Sequence, residues 1–503
     1  MKNTIKNVLL LASSLLIWLP ACISQNANTP IQDTFPMNEY LTTSANAPYP
    51  SVAEEKFQHI NTSSFINIMN FGASGNGKKA DDDAIIKAFA ACKNGSGIIF
   101  PQGKTFLIQN LLRIPLNKDI TVYAYGATFK MADNSGYNAM ALEGDNNGYN
   151  NQVLWLGGTL DGNKDHQAWP GSPTGNNTWM KAQGNYGLLT IRRAKFALVK
   201  DITLTNSVYD GVELYECQLG VIADSKAENG VPLEFSKVKS EFDQGKQATY
   251  FKVTRQGSQV AYFLNLTCTG GSIGIHYSSK PVNDSSLAVV ANCKLYNQAQ
   301  DALHFEHCRQ VFLYKNTIGT DNSDMYHADV HISNETKIAS IKDCQLKNGR
   351  IDFRTASKLQ LGIVENCQFE SYALRKEDAA TLKAFIQNAT FVKNCTFKGR
   401  TKEDGVKAKY ITGSSFETFD TAANAMILVN NCRFNNGLIA IKSIKKNITI
   451  TGCDFKAISS PELSLKNTNG NASRSASVNN ITNASIGVAD QRKKFLGYIT
   501  DAQ

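Results

Sequence analysis

The stretch "DCQLKNGRIDFRTASKLQLGIVENCQF", residues 343–369, opens and closes on the same short pattern: Asp or Asn, a cysteine, a polar residue, then Leu or Phe. The pattern at Cys344 returns at Cys367, and after a longer interval at Cys395 as "NCTF". Further copies stand at 292 ("NCKL"), 431 ("NCRF") and 452 ("GCDF"). Cysteine and the apolar residue two places on share a parity, as two inward positions of one strand would. The shorter intervals, from 344 to 367 and from 432 to 453, set a period in the low twenties. Such a period, built from short Val/Ile/Leu/Phe strands punctuated by Asn, Gly and Asp, predicts three strands per turn of a β-solenoid. Coils of unequal length imply loops inserted at corners, and the Asn before each cysteine suits a corner where amides stack along the axis. The pattern runs from about Phe65 to Lys456.

The chain has 503 residues, a formal net charge of +9 and eleven cysteines. It begins "MKNTIKNVLLLASSLLIWLPACIS", with Lys2 and Lys6 ahead of a short apolar run, Val8–Leu19. That is the form of a secretory signal. Leu19-Pro20-Ala21-Cys22 resembles the lipobox of bacterial lipoproteins, which implies cleavage before Cys22, a lipid on its sulfur, and attachment to a bacterial membrane, the outer membrane or cell surface. No later run is long and apolar enough to span a bilayer. In an exported protein ten remaining cysteines invite a disulfide reading. Their recurring context argues instead for small buried hydrophobes stacked as a ladder. A modestly basic exported chain is aimed more plausibly at an anionic polysaccharide than at nucleic acid. Expected boundaries are a signal over 1–22, a polar linker over 23–60, the solenoid over 61–458 and a Ser/Asn/Ala-rich tail or cap over 459–503, working as a monomer.

Near the start, "NFGASGNGKKADDDAIIKAF" is followed by "GIIFPQG". Asp81–Asp83 supply acidic residues for a helix N-terminus, and Ala84, Ile85, Ala88, Phe89 and Cys92 form its apolar face. Such a helix would cap the open end of a solenoid. This segment, with "GGTLDGNKD" at 157–165, resembles the pectate-lyase superfamily, shared by polygalacturonase-type hydrolases, alginate C5-epimerases and phage tailspikes. The resemblance implies an all-β fold, a right-handed parallel β-helix with an N-terminal capping helix, and action on carbohydrate. The polygalacturonase pattern (Asn-Thr-Asp, Asp-Asp, Gly-His-Gly) is absent. So is the epimerase tetrad Asp-Pro-His-Glu, where this chain reads "ELYE" at 213–216.

Strand alternation then sorts the chemistry. In "GVELYEC", "YFKVTR", "GIHYSSK", "ALHFEHC", "ADVHIS" and "RIDFRT" the apolar residues face in. Glu213, Lys252, His276, His304, Glu306, Asp329, His331, Asp352 and Arg354 therefore face out, about 4.8 Å apart from coil to coil. Histidines gathered beside carboxylates suit proton transfer. Glu306 and Asp329 are the expected catalytic carboxylates for hydrolysis, tuned by His304 and His331. Lys252, His276, Asp352, Arg354 and Glu213 are expected to hold the anionic substrate, with Trp169 and Trp179 stacking on sugar rings. β-Elimination or C5-epimerisation would instead use a base such as His276, His304, Lys252 or Arg354, and a lyase would bring Ca2+. A non-catalytic glycan-binding solenoid is the third reading. His304, Glu306, His331 and Asp329 offer donors for zinc or another divalent ion, but no HExxH or CxxC spacing supports a metal site, so no cofactor is expected for a hydrolase.

Overall fold

The computed structural model describes residues 62–135, 140–144, 151–169, 173–174, 187–231, 249–254, 260–279, 285–321, 329–332, 335–353, 359, 361–371, 385–399 and 406–418, with short strand pieces out to 482. The signal and the linker expected from the sequence, and with them Cys22, lie outside the described residues, as does the expected tail apart from the strand Ile481–Thr482. Two compact units hold the rest. The first draws on Met1–Val231, Asp243–Leu266 and Tyr277–Val289, the second on Pro232–Phe242, Thr267–His276 and Val290–Gln503.

In both units every described strand pairing is parallel, and three short strands make one coil of a parallel β-helix. In the first unit one coil is Val212–Tyr215, Leu219–Ala223 and Lys226–Gly230. In the second, successive coils begin with Asp301–Glu306, Val330–Ile332 and Ile351–Phe353. The coils that carry the polar residues stack in register: Leu189, Val212 and Phe251 occupy one slot, and Leu303, Val330 and Ile351 another, while the register shifts within Asn76–Ala80 and between Ile386 and Ala389. A slip of one residue would turn every apolar side chain outward, so the buried core itself fixes the register. Among the described residues no helix is long and apolar enough to cross a membrane.

The core is built from the alternating apolar positions. In the first unit Phe100, Phe106, Phe129 and Trp155 interlock, with Phe100 and Phe129 edge to face at 4.8 Å. In the second, Phe369 and Phe397, one coil apart in register, stack at 4.9 Å and 12°. Each such buried ring contributes about 1.5–3 kcal/mol. Gly220 shows how tightly the inward side is filled, since a Cβ there would lie 2.9 Å from Leu214 Cδ1.

The repeated Asn-Cys pair is the corner. Asn292, Asp343, Asn366 and Asn394 all adopt left-handed backbone with φ of 52–56°. The short Asn or Asp side chain makes this conformation accessible. The cysteine that follows turns inward, and its thiol donates to the carbonyl two residues back: Cys293 to Ala291 at 3.4 Å, Cys344 to Lys342 at 3.3 Å, Cys367 to Glu365 at 3.2 Å and Cys395 to Lys393 at 3.3 Å. In the first unit Asp224-Ser225 does the same, the Ser225 hydroxyl donating to Ala223 at 2.7 Å. Amide stacking along the axis is present where Asn366 Nδ2 donates to Asp343 Oδ1 at 3.1 Å. All nine described cysteines are free and buried, as the ladder reading expects.

The expected N-terminal helix is Asp82–Ala91, burying Ala84, Ile85, Ala88 and Phe89. Its acidic residues do more than complement the dipole. Asp81 caps nothing in its own helix; its carboxylate accepts from the backbone N–H groups of Ser74 and Leu107 at 2.6 and 3.2 Å. Asp82 accepts from the N–H groups of Gln109 and Asn110 at 3.0 and 2.9 Å. Together they staple the Gly-rich "GASGNG" loop and the helix to the strand Thr105–Ile108. At the other end Lys118 Nζ donates to the carbonyls of Phe89, Ala90 and Cys92.

Candidate functional site

Each unit carries its own polar cluster on outward strand positions. In the first, the in-register slot runs Thr190, Glu213, Lys252, and the slot two residues on runs Arg192, Tyr215, Thr254. Lys252 Nζ meets Asp210 Oδ2 at 2.6 Å and lies 3.9 Å from Glu213 Oε1. Asp210 Oδ1 accepts from the Thr249 N–H at 2.9 Å, and the Thr254 hydroxyl donates to Glu213 Oε1 at 2.7 Å. Glu213 is 1% exposed. Burial pushes its carboxyl up and Asp210 adds to the rise, while Lys252 opposes both. Arg192 pairs with Glu143 at 3.3 Å and lies 4.2 Å above the Tyr215 ring. Glu213 and Lys252, read from the sequence as substrate-binding, are thus brought together. The Lys252 charge is engaged inside by Asp210, a residue just ahead of its strand that alternation does not reach.

In the second unit three histidines stack. The His304 ring lies 4.5 Å from that of His331 and 5.0 Å, edge to face, from that of His276. His304, His331 and Asp352 share one register slot on neighbouring coils. Carboxylates thread the imidazoles together. Asp301 Oδ2 is 2.7 Å from His304 Nδ1 and 3.8 Å from His331 Nδ1. Glu306 Oε1 is 3.0 Å from His304 Nε2, and Glu306 Oε2 is 3.8 Å from His276 Nε2. The order is His331, Asp301, His304, Glu306, His276. Burial pulls His304 down, yet the hydrogen bonds and charges of Asp301 and Glu306 outweigh it and raise the imidazole to about 9. The nearby His276 imidazole and the His304 hydrogen bond hold Glu306 well below the usual carboxylate range, against a smaller opposing effect of burial.

The histidines are 4–6% exposed, whereas the Glu306 side chain is 38% exposed. Glu306 is therefore the member that can meet a ligand without rearrangement. Asp329 and Asp352 form a neighbouring group around Arg350: Nε is 3.0 Å from Asp329 Oδ2 and Nη2 is 3.8 Å from Asp352 Oδ2. The carboxylate seated on His304 Nδ1 is that of Asp301. Asp301 has the inward parity of Leu303 and Phe305, but it opens the strand at a corner, where parity stops governing direction. Arg350 likewise precedes its strand, and only its closeness to "IDF" signals it. Trp169 is half-buried, its indole N–H donating to the Lys164 carbonyl at 2.9 Å. Arg354 and Trp179 lie outside the described residues.

Among the described residues two donor sets can take a metal ion: His276, His304 and Glu306, whose ligand atoms lie within 4.8 Å of one another, and Asp301, His304 and His331.

The site stands on a parallel β-helix protein. No protein-family model matches the sequence. Among solved structures the chain is similar to PfbA, a surface adhesin of Streptococcus pneumoniae, with a TM-score of 0.44 and 13% identity over 81% of this chain and 93% of that one. It is also similar to an endo-xylogalacturonan hydrolase from Aspergillus tubingensis, with a TM-score of 0.29 and 12% identity over 78% of this chain and 98% of that one. The A-module of the Azotobacter vinelandii mannuronan C-5 epimerase AlgE4 matches with a TM-score of 0.27 and 13% identity, over 79% of this chain and all (100%) of that one.

Proposed function

We propose that the chain is an exported enzyme, anchored through lipid on Cys22, that cleaves glycosidic bonds of an anionic polysaccharide by hydrolysis. The observation that carries this reading is the run of alternating imidazoles and carboxylates in which Glu306 has an open edge. A solvated face on a solenoid has no need of three stacked histidines threaded by carboxylates. Hydrolysis needs a carboxylate held where it can work on water beside the sugar ring. Asp301 fixes His304, and His304 fixes Glu306, so this carboxylate is preorganised. A uronate or sulfated chain is the substrate class that the basic, exported character of the sequence favours. β-Elimination is the second reading, favoured by histidine bases packed against the same edge.

The test incubates the folded protein and its Glu306→Gln variant with pectin, alginate, carrageenan, ulvan and glycosaminoglycans. New reducing ends that vanish in the variant support hydrolysis at this site. Reducing ends accompanied by the ultraviolet absorbance of an unsaturated uronate transfer the reading to elimination. Full activity in Glu306→Gln removes the site, and glycan binding with no turnover leaves a binding solenoid. Incorporation of labelled fatty acid that is lost in Cys22→Ala checks the anchor.

A further inference from the structure

We infer that the outward cluster of the second unit is a transition-metal site, with His276, His304 and Glu306 as ligands and Asp301 as the group that aims His304. Four observations converge on it. The donor atoms are already gathered. Ligands about 2.1 Å from a tetrahedral zinc stand roughly 3.4 Å from one another, and here Glu306 Oε1 lies 3.0 Å from His304 Nε2 and Glu306 Oε2 lies 3.8 Å from His276 Nε2. The three ligand atoms all fall within 4.8 Å of one another, so an ion settling among them would draw them together without moving a strand.

The second observation is what stands behind His304. A metal-binding histidine characteristically gives its other ring N–H to a carboxylate, which fixes the tautomer and turns the free nitrogen toward the ion. Asp301 Oδ2 sits 2.7 Å from His304 Nδ1, so Nε2 is the nitrogen presented to Glu306. Third, the donor set is two imidazoles and one carboxylate, the composition that suits zinc, iron or nickel. Calcium, which the elimination reading would bring, prefers six to eight oxygens and does not fit. Fourth, Glu306 is the exposed member, so a fourth position on the ion would face outward, as in catalytic rather than closed structural sites. The alternative set of Asp301, His304 and His331 is buried throughout, so an ion there would have no outward position, and Asp301 is already engaged on His304 Nδ1.

The sequence conceals such a site because its ligands come from different coils. Metal motifs on helices are recognised by spacing within one turn. Here His276 and His304 are separated by a whole coil, and register brings them together.

The inference deepens the hydrolytic reading but is tested without substrate. Untagged full-length protein, stripped with chelator, is titrated with Zn2+ by calorimetry and with Co2+ by its visible ligand-field absorption. One equivalent of each metal, with a cobalt spectrum of low coordination number, is expected. Glu306→Gln and His276→Ala should abolish that equivalent, and Asp301→Asn should weaken it about 10–100-fold. His166→Ala, at a surface histidine paired with Asp133, should leave it unchanged. Circular dichroism and melting confirm that each variant is folded, with Glu306→Gln as the least intrusive. No bound equivalent in folded wild-type protein overturns the inference, as does binding of wild-type strength in folded Glu306→Gln or His276→Ala. Metal bound without glycan turnover would sink the polysaccharide reading alone. Turnover by metal-free protein that binds no zinc would sink the metal site alone.

Discussion

Replacing Lys252 with Met tests whether the polar cluster of the first unit is held by one buried cation. Lys252 and Asp210 are 8% and 10% exposed, and their 2.6 Å contact, with Glu213 at 3.9 Å, makes one ammonium serve two carboxyl groups. Met keeps the length of the side chain and removes the charge. Two buried carboxyl groups are then left facing the gap, and breaking a buried pair from one side costs about 3–5 kcal/mol. Asp210→Asn should cost less, because Lys252 keeps Glu213 within reach. Adding Glu213→Gln to Lys252→Met should recover part of the loss, since one of the stranded carboxyl groups is gone. The pH dependence has a definite sign. Burial already raises Glu213 above its ordinary 4.5 and Lys252 opposes that rise, so deleting Lys252 raises it further. A folded-state pKa above the unfolded one means that the folded protein holds the extra proton, and stability falls as pH rises from about 4.5 through the folded value. The deficit of Lys252→Met relative to wild type should therefore widen from about pH 5 to about pH 8. Urea denaturation at both pH values reads it. A deficit below about 1 kcal/mol, or one that narrows with rising pH, would refute the reasoning.

Two further outcomes follow from the corners. Asn366, at φ 53°, should tolerate Gly nearly without cost. Val there should cost about 1–2 kcal/mol or more by urea denaturation, because a β-branched residue bears the full left-handed penalty. The nine described thiols should stay unlabelled by maleimide in the folded chain at about pH 8 and react together in denaturant. Burial pushes Cys217 up to about 12 and Cys268, Cys344 and Cys367 well above 9.0, leaving almost no thiolate to react.

How much of this was legible depended on whether a residue sits on a strand or at its end. Leu303 and Phe305 were readable as core, and His304 and Glu306 as their outward counterparts, because alternation is strict from Leu303 to Glu306. The stacking of His304 on His331 was readable too, once the coils were taken to be in register. Asp301, Asp210 and Arg350 were not. Each stands at or just before the first residue of a strand, where the chain is turning and the period of two gives no direction. Asp81 and Asp82 show the same limit on a helix: acidic residues at an N-terminus were expected to favour the dipole, but their carboxylates bind loop and strand amides 7 to 28 residues away. His307 turns at a corner in the Asn slot, at φ 52° ahead of Cys308.

The corner has a consequence for how such a chain can be altered. The coil from Cys344 to Cys367 and the longer one from Cys367 to Cys395 both return their third strands to identical partners, Gln345 with Gln368 and Gln368 with Thr396. Length is therefore decoupled from alignment: the left-handed residue and the small buried side chain behind it reset the count at every coil. Segments lying between two corners are then exchangeable cassettes, which can be lengthened or grafted from another solenoid while the ladders on either side keep their partners. Specificity can be re-engineered in such a protein one coil at a time, without asking the rest of the chain to fold differently.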